Sequence, residues 1–178
     1  NFRFTAVLDI IKKLRLEKIA VCIYDPNITI PVMEGIKIFK NLDEFISNSE
    51  IIKGLYANFA AGNVPGVLEA LDPNIVWNEA ENFIYADKNP YNGPTAIVEG
   101  VFSRIGSEWE YFNVTDRQIT EMANNMVLMA GRYNAKHKTT GKLLNSQAAH
   151  VWTLNNGKVT RFQQYTDTKQ AAEIVKSK

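Results

Sequence analysis

Apolar and polar positions recur with two different periods along this chain, and the change from one to the other divides it. After Ser49, a helix N-cap candidate, apolar residues fall at helical spacing: Ile51, Ile52, Leu55, Tyr56 and Phe59, with Gly62 as a stop. Asn63 then precedes Val64-Pro65, a cap followed by a first-turn proline, and Val67, Leu68 and Leu71 give a second short helix its inner face. Asp72-Pro73-Asn74 turns the chain into a strand over 75–79. A polar, aromatic-rich loop over 80–93 follows. Pro94 opens a third helix with Ile97, Val98, Val101, Phe102 and Ile105 inward, closed by Gly106.

From there the period falls to two. Strands are predicted over 109–121, 126–136, 143–154 and 159–166, separated by Asn124-Asn125, Thr140-Gly141 and Asn155-Asn156-Gly157. Asparagine and glycine tolerate positive φ, which tight hairpins require. A last helix is predicted over 169–176. Helices first and a meander afterwards predict an α+β fold, a curved antiparallel sheet wrapped around N-terminal helices. Residues 1–48 read as a separate extension. They hold a basic amphipathic helix (Phe4, Val7, Leu8, Ile11 and Leu14 opposite Lys12, Lys13 and Arg15) and two β-type runs over 19–24 and 28–39. That stripe is expected to pack on the main domain, 49–178, or on a second subunit.

Composition narrows the function classes. A net charge of +1 offers no basic face for nucleic acid. The single cysteine, Cys22, excludes an internal disulfide, and two separated histidines make a metal site an unexpected feature. No phosphate-binding glycine loop and no Gly-x-Ser-x-Gly elbow is present. No apolar run reaches the ~20 residues of a membrane-spanning helix. A soluble cytoplasmic protein, with neither cofactor nor metal and with no nucleic-acid or membrane partner, is expected.

Several stretches resemble the ketosteroid isomerase, SnoaL-type cyclase and nuclear transport factor 2 fold. They are Ala61-Gly62-Asn63-Val64-Pro65-Gly66-Val67, Asp72-Pro73-Asn74-Ile75-Val76-Trp77-Asn78-Glu79, Tyr91-Asn92-Gly93-Pro94-Thr95-Ala96-Ile97, and 149–159 running on to Tyr165-Thr166-Asp167. The resemblance spans about 49–173 and implies a cone-shaped α+β barrel around one small-molecule pocket. It places Glu79 where ketosteroid isomerase has its aspartate base, and Asp167 where SnoaL-like cyclases have a late acid. The two groups that bind the enolate oxygen in that isomerase fall by spacing on Leu55 and Ala149, so the steroid-type oxyanion hole is expected to be missing; Tyr56 is one residue, about 100°, away.

If the 154–158 corner is a type I turn with a glycine bulge, Leu154 pairs with Lys158 and Ala149 with Gln163. Ala149, Val151, Gln163, Tyr165 and Asp167 then share one face, and His150, Trp152, Phe162 and Gln164 the other. Putting Ala149 at the family's pocket position turns Asp167 inward. The expected pocket is apolar and aromatic, walled by Phe59, Trp77, Phe102 and Tyr165 with Tyr91 and Trp109 as further wall candidates, and has Glu79, Gln163 and Asp167 as its polar groups. The plainer alternatives are a Glu79 in solvent or paired with Arg132 or Arg161, and an Asp167 that caps the last helix. His150 is expected on the outer face beside Trp152, and His137 in a solvated loop. An outer stripe of His150, Trp152 and Phe162 would need covering, which points to a homodimer through that sheet face or to residues 1–48.

Two functions follow. One is a cofactor-independent isomerase, cyclase or hydratase acting on a small apolar carbonyl compound, with Glu79 and Asp167 as acid–base pair. The other is a non-catalytic hydrophobic-ligand-binding or association module.

Overall fold

The structure, a computed structural model, describes residues 47–176 without a break and, before them, residues 13, 14, 16, 23, 24, 27, 32, 33 and 36–39. The chain divides into two units, Asn1–Ser47 and Asn48–Lys178. In the first, β1 (Ile23–Tyr24) runs parallel to β3 (Ile36–Phe39), and β2 (Val32–Met33) pairs with β3 on its other side, antiparallel. Most of the amphipathic helix expected over 4–14 lies outside the described residues.

The second unit begins with α1 (Asn48–Ala60), which buries Ile52, Leu55 and Tyr56, and α2 (Val64–Glu69). Gly62 between them has φ +68°, and the Asn63 side chain accepts from the Gly66 N–H at 3.2 Å, as the cap pattern predicts. β4 (Leu71–Asn78) follows, then the loop, the short β5 (Tyr91–Asn92) and a helical stretch. That stretch is α3 (Gly93–Ile97), a π-helical turn (Val98–Phe102) and α4 (Ser103–Glu108), so Gly106 does not close it. β6 (Trp109–Met122), β7 (Met126–His137), β8 (Leu143–Asn155) and β9 (Lys158–Thr166) form the meander, and α5 (Thr168–Val175) comes last. The six strands lie in the order β5-β4-β9-β8-β7-β6, all antiparallel except β4 with β9. The α+β architecture is the expected one, and its curved sheet stays open, with β5 and β6 as edges.

One hairpin departs from the expected register. Asn156 and Gly157 both have positive φ (48° and 76°), so β8 and β9 are joined by a two-residue turn of type I′ that pairs Asn155 with Lys158. A bulge then leaves Thr160 unpaired, and beyond it Ala149 sits opposite Tyr165 rather than Gln163. The shift is two residues, so the two face groups survive. Which group faces inward is the reverse of expectation. His150, Trp152, Phe162 and Gln164 are buried, and Tyr165 and Asp167 are exposed. The stripe thought to need an outer cover is itself the core, so the argument for a homodimer through it falls away.

Two glycines admit close approach. A Cβ on Gly131 would stand 2.6 Å from the Thr115 carbonyl oxygen, where β6 bulges between Thr115 and Gln118 with Asp116 at φ +52°. On Gly100, in the π-helical turn, it would stand 2.0 Å from the ring of buried Tyr91. The Tyr91 hydroxyl is tied to the Tyr85 carbonyl at 2.6 Å, so its ring has little room to give. Gly100→Ala is expected to cost about 1–3 kcal/mol of stability, read from the urea midpoint at unchanged slope.

Candidate functional site

Glu79 follows directly on β4, and the alternation of that strand puts its side chain on the same face as Trp77. Its backbone is gripped from two sides. The Asn89 amide accepts from the Glu79 N–H at 3.0 Å and donates to the Glu79 carbonyl at 2.8 Å, while Gln164 Oε1 accepts from the Ala80 N–H at 3.0 Å. The residue is 3% exposed. Trp77 Nε1 donates to Oε1 at 2.6 Å, and buried Oε2 has no hydrogen-bond partner.

This group lines a cavity of about 50 Å³ between α1, the helical stretch and the inner face of the sheet. Its walls are aromatic and aliphatic, among them Phe59, Phe83, Phe102 and Phe112. Trp77 stacks on Phe162 with ring centroids 3.7 Å apart, and Trp152 closes on both, at 5.7 Å and 4.5 Å. The polar groups in this wall are few: Glu79, Tyr56, Tyr133, His150 and Gln164.

Four of them are joined by hydrogen bonds. His150 shares bonds of 2.6 Å with the Tyr56 hydroxyl through Nδ1 and with the Tyr133 hydroxyl through Nε2. Trp152 Nε1 donates to the Tyr56 oxygen at 3.1 Å, and Gln164 Nε2 to the Tyr133 oxygen at 2.7 Å. Burial sets the charges. It holds the imidazole neutral, with its pKa lowered to about 3. It pushes both phenols upward, Tyr133 further because of the Glu79 charge nearby. It raises the Glu79 carboxyl to about 7 against the opposing pull of the Trp77 bond. Near neutral pH, Glu79 is therefore the member of this group that exchanges a proton, and the phenols keep theirs as donors.

The residues singled out in the sequence separate into three sets. Glu79, Phe59, Trp77 and Phe102 meet at the cavity. Tyr91 and Trp109 belong instead to a clamp on the 80–93 loop, where Trp109 Nε1 donates to the Tyr85 hydroxyl at 2.6 Å and the Tyr85 hydroxyl to Glu108 at 2.8 Å. Gln163, Tyr165 and Asp167 are on the outer side of the sheet. The Asp167 side chain accepts from the Gln170 N–H at 3.0 Å and caps α5, which corrects its expected place in the pocket. His150, expected outside, is buried and lines the cavity, and His137 is buried beside Thr140 rather than solvated. Tyr56, Tyr133, His150 and Gln164 were not singled out as site residues. A signal for two of them was present: the face carrying Trp152, Leu154 and Phe162 is far more apolar than that carrying Thr153, Arg161 and Gln163, and His150 and Gln164 ride on it. Among the described residues, no cluster of His, Cys, Asp and Glu is arranged to hold a metal, and no helix is long and apolar enough to cross a membrane.

Comparison with known proteins agrees with this architecture. The sequence profile of the SnoaL-like domain matches residues 52–162. An NTF2-like protein from Burkholderia thailandensis superposes with a TM-score of 0.66 at 28% identity, over 74% of this chain and 99% of that one. TerC, co-crystallized with polyporic acid, gives 0.65 at 24% identity over 73% and 98%. A candidate polyketide cyclase from Pseudomonas putida gives 0.63 at 14% over 74% and 99%. No protein with a curated description matches the sequence.

Proposed function

Since the chain belongs to the SnoaL-like domain family, whose fold hosts both catalysts and binding modules, the choice falls to the site, and we propose cofactor-independent acid–base chemistry on a small apolar carbonyl compound. Glu79 would take the proton from the carbon next to the carbonyl, and a phenol of the Tyr56–His150–Tyr133 chain would hydrogen-bond the carbonyl oxygen as charge builds there. Isomerisation, cyclisation and hydration all begin or end with such a step. The observation that carries the reading is the Glu79 carboxyl: buried, one oxygen unpartnered, in a wall otherwise apolar. A structural acid has no use for a bare buried oxygen, which costs about 1–3 kcal/mol. A base does.

The cavity limits the ligand. Its volume of about 50 Å³ is a third of the roughly 150 Å³ apolar cavity that takes benzene. The ligand that fits without side-chain movement has only a few heavy atoms.

The test is deuterium exchange next to the carbonyl of small enolisable ketones, acetone and butanone, followed by proton NMR in D₂O. The wild-type protein is expected to accelerate exchange of at least one of them, and Glu79→Gln to lose that acceleration by roughly 100-fold or more. Exchange that survives in the variant would remove Glu79 as the base, and ketones that bind and never exchange would leave a binding module as the better account.

A further inference from the structure

Each phenol beside His150 already receives one fixed donor, the Trp152 indole on Tyr56 and the Gln164 amide on Tyr133. The orientation of that amide is set independently, because its oxygen accepts from the Ala80 N–H. A neutral imidazole has one N–H and one bare nitrogen. One phenol must therefore give its proton to the bare nitrogen. The other accepts the imidazole N–H in addition to its fixed donor, so its own proton is left over. Both tyrosines line the cavity, and the described residues supply neither hydroxyl with a further partner. One phenolic proton thus faces the cavity, and the tautomer of His150 decides whose.

Local charges break the tie. The charge that acts on Tyr133 is the Glu79 carboxylate, which draws a hydroxyl proton toward itself. The charge beside Tyr56 is the Arg117 guanidinium, 5.4 Å from its ring centre, and a cation offers an outward-turned proton no attraction. We infer that His150 is a positioning residue that carries its proton on Nε2, so that Tyr56 donates to Nδ1 and the Tyr133 hydroxyl proton turns into the cavity on the Glu79 side. This rests on the acid–base reading and deepens it: Tyr133 becomes the donor that a carbonyl oxygen meets while Glu79 takes the neighbouring proton. Tyr56 is the strut that fixes the tautomer.

The decisive measurement is the ¹⁵N spectrum of histidine-labelled protein, with His137→Gln used to assign the two rings. The expected result at about pH 8, where the Glu79 carboxyl is charged, is a protonated Nε2 and a bare Nδ1 on His150, with the ring neutral. A proton on Nδ1, an average of the two tautomers or a doubly protonated ring would overturn the inference. A second readout is the Glu79 titration by ¹³C NMR. Tyr133→Phe removes the donor on the carboxylate side and is expected to raise the Glu79 midpoint by about 0.5 unit more than Tyr56→Phe does; equal shifts would overturn the assignment to Tyr133. Neither readout involves turnover, so a failed tautomer and a failed Glu79 base are told apart.

Discussion

Glu79→Gln is expected to make the protein more stable above neutral pH, by on the order of 3 kcal/mol, in the same variant that loses proton exchange. The folded carboxyl has its pKa raised from 4.5 to about 7, chiefly by burial. A carboxyl that is harder to ionise in the folded state favours unfolding once the unfolded chain can ionise it. The sign follows: the wild-type protein keeps its full stability below about pH 4.5, loses it as the pH rises toward 7, and carries a constant deficit above that. At 1.36 kcal/mol per unit, the size is about 3 kcal/mol. Glutamine has the same shape and no charge to desolvate, so its profile lacks this slope. Urea unfolding of both proteins across roughly pH 4–9, a range that brackets the two pKa values, would show curves that coincide in acid and draw apart as the pH rises to about 7. Curves parallel at every pH would mean that Glu79 is ionised as easily folded as unfolded, and the site would lose its base.

Phe162→Ala should have the other large effect. The Phe162 ring stacks on Trp77 at 3.7 Å, touches Trp152 at 4.5 Å and stands 5.0 Å from the His150 ring, 2% exposed. Truncation removes about 3–5 kcal/mol, a large share of the 5–15 kcal/mol a domain has. The hole would open beside an existing cavity, where rigid indoles resist collapse. Toluene should then bind the variant and raise its Tm in proportion to the logarithm of its concentration, while leaving the wild-type Tm alone. A variant that is destabilised and indifferent to toluene would show that the stack closes over the gap.

Much of this fold was legible because its signals are local. Gly62 at positive φ, the Asn63 cap, Pro65 in a first turn and the asparagine corners act within a few residues of themselves, and the elements they bound fall within a few residues of expectation. Glu79 was legible through the resemblance, which puts it at the isomerase's base, and local strand alternation then sets it on the face of Trp77 two residues earlier. The rest of the site depends on register across strands, which is not local. The Asn156-Gly157 turn and the unpaired Thr160 move the β8–β9 pairing by two. That alone left the face groups intact; the reversal came from anchoring the inner face on Ala149 instead of on the larger side chains. Burial of apolar area favours placing Trp152 and Phe162 inside by several kcal/mol, and the polar His150 and Gln164 follow because their strands leave them no choice. Tyr56 and Tyr133 gave no signal of their own, since a tyrosine on an apolar stripe reads as core until the histidine between the two hydroxyls is seen.

The bulge in β6 has a consequence for the protein in a crowded solution. β6 spans 14 residues at the rim of the sheet, and an unpaired strand of that length is a template on which a second chain can add itself. Two residues, Asp116 and Arg117, stand where the partner strand offers only Gly131, and Asp116 has φ +52°. The ladder of outward amides is therefore broken near its middle, and both residues at the break are charged. An incoming strand would have to match the kink and desolvate two ions to continue past it. The missing side chain at Gly131, which lets the bulge seat, thus helps keep one copy of this sheet from growing onto the next.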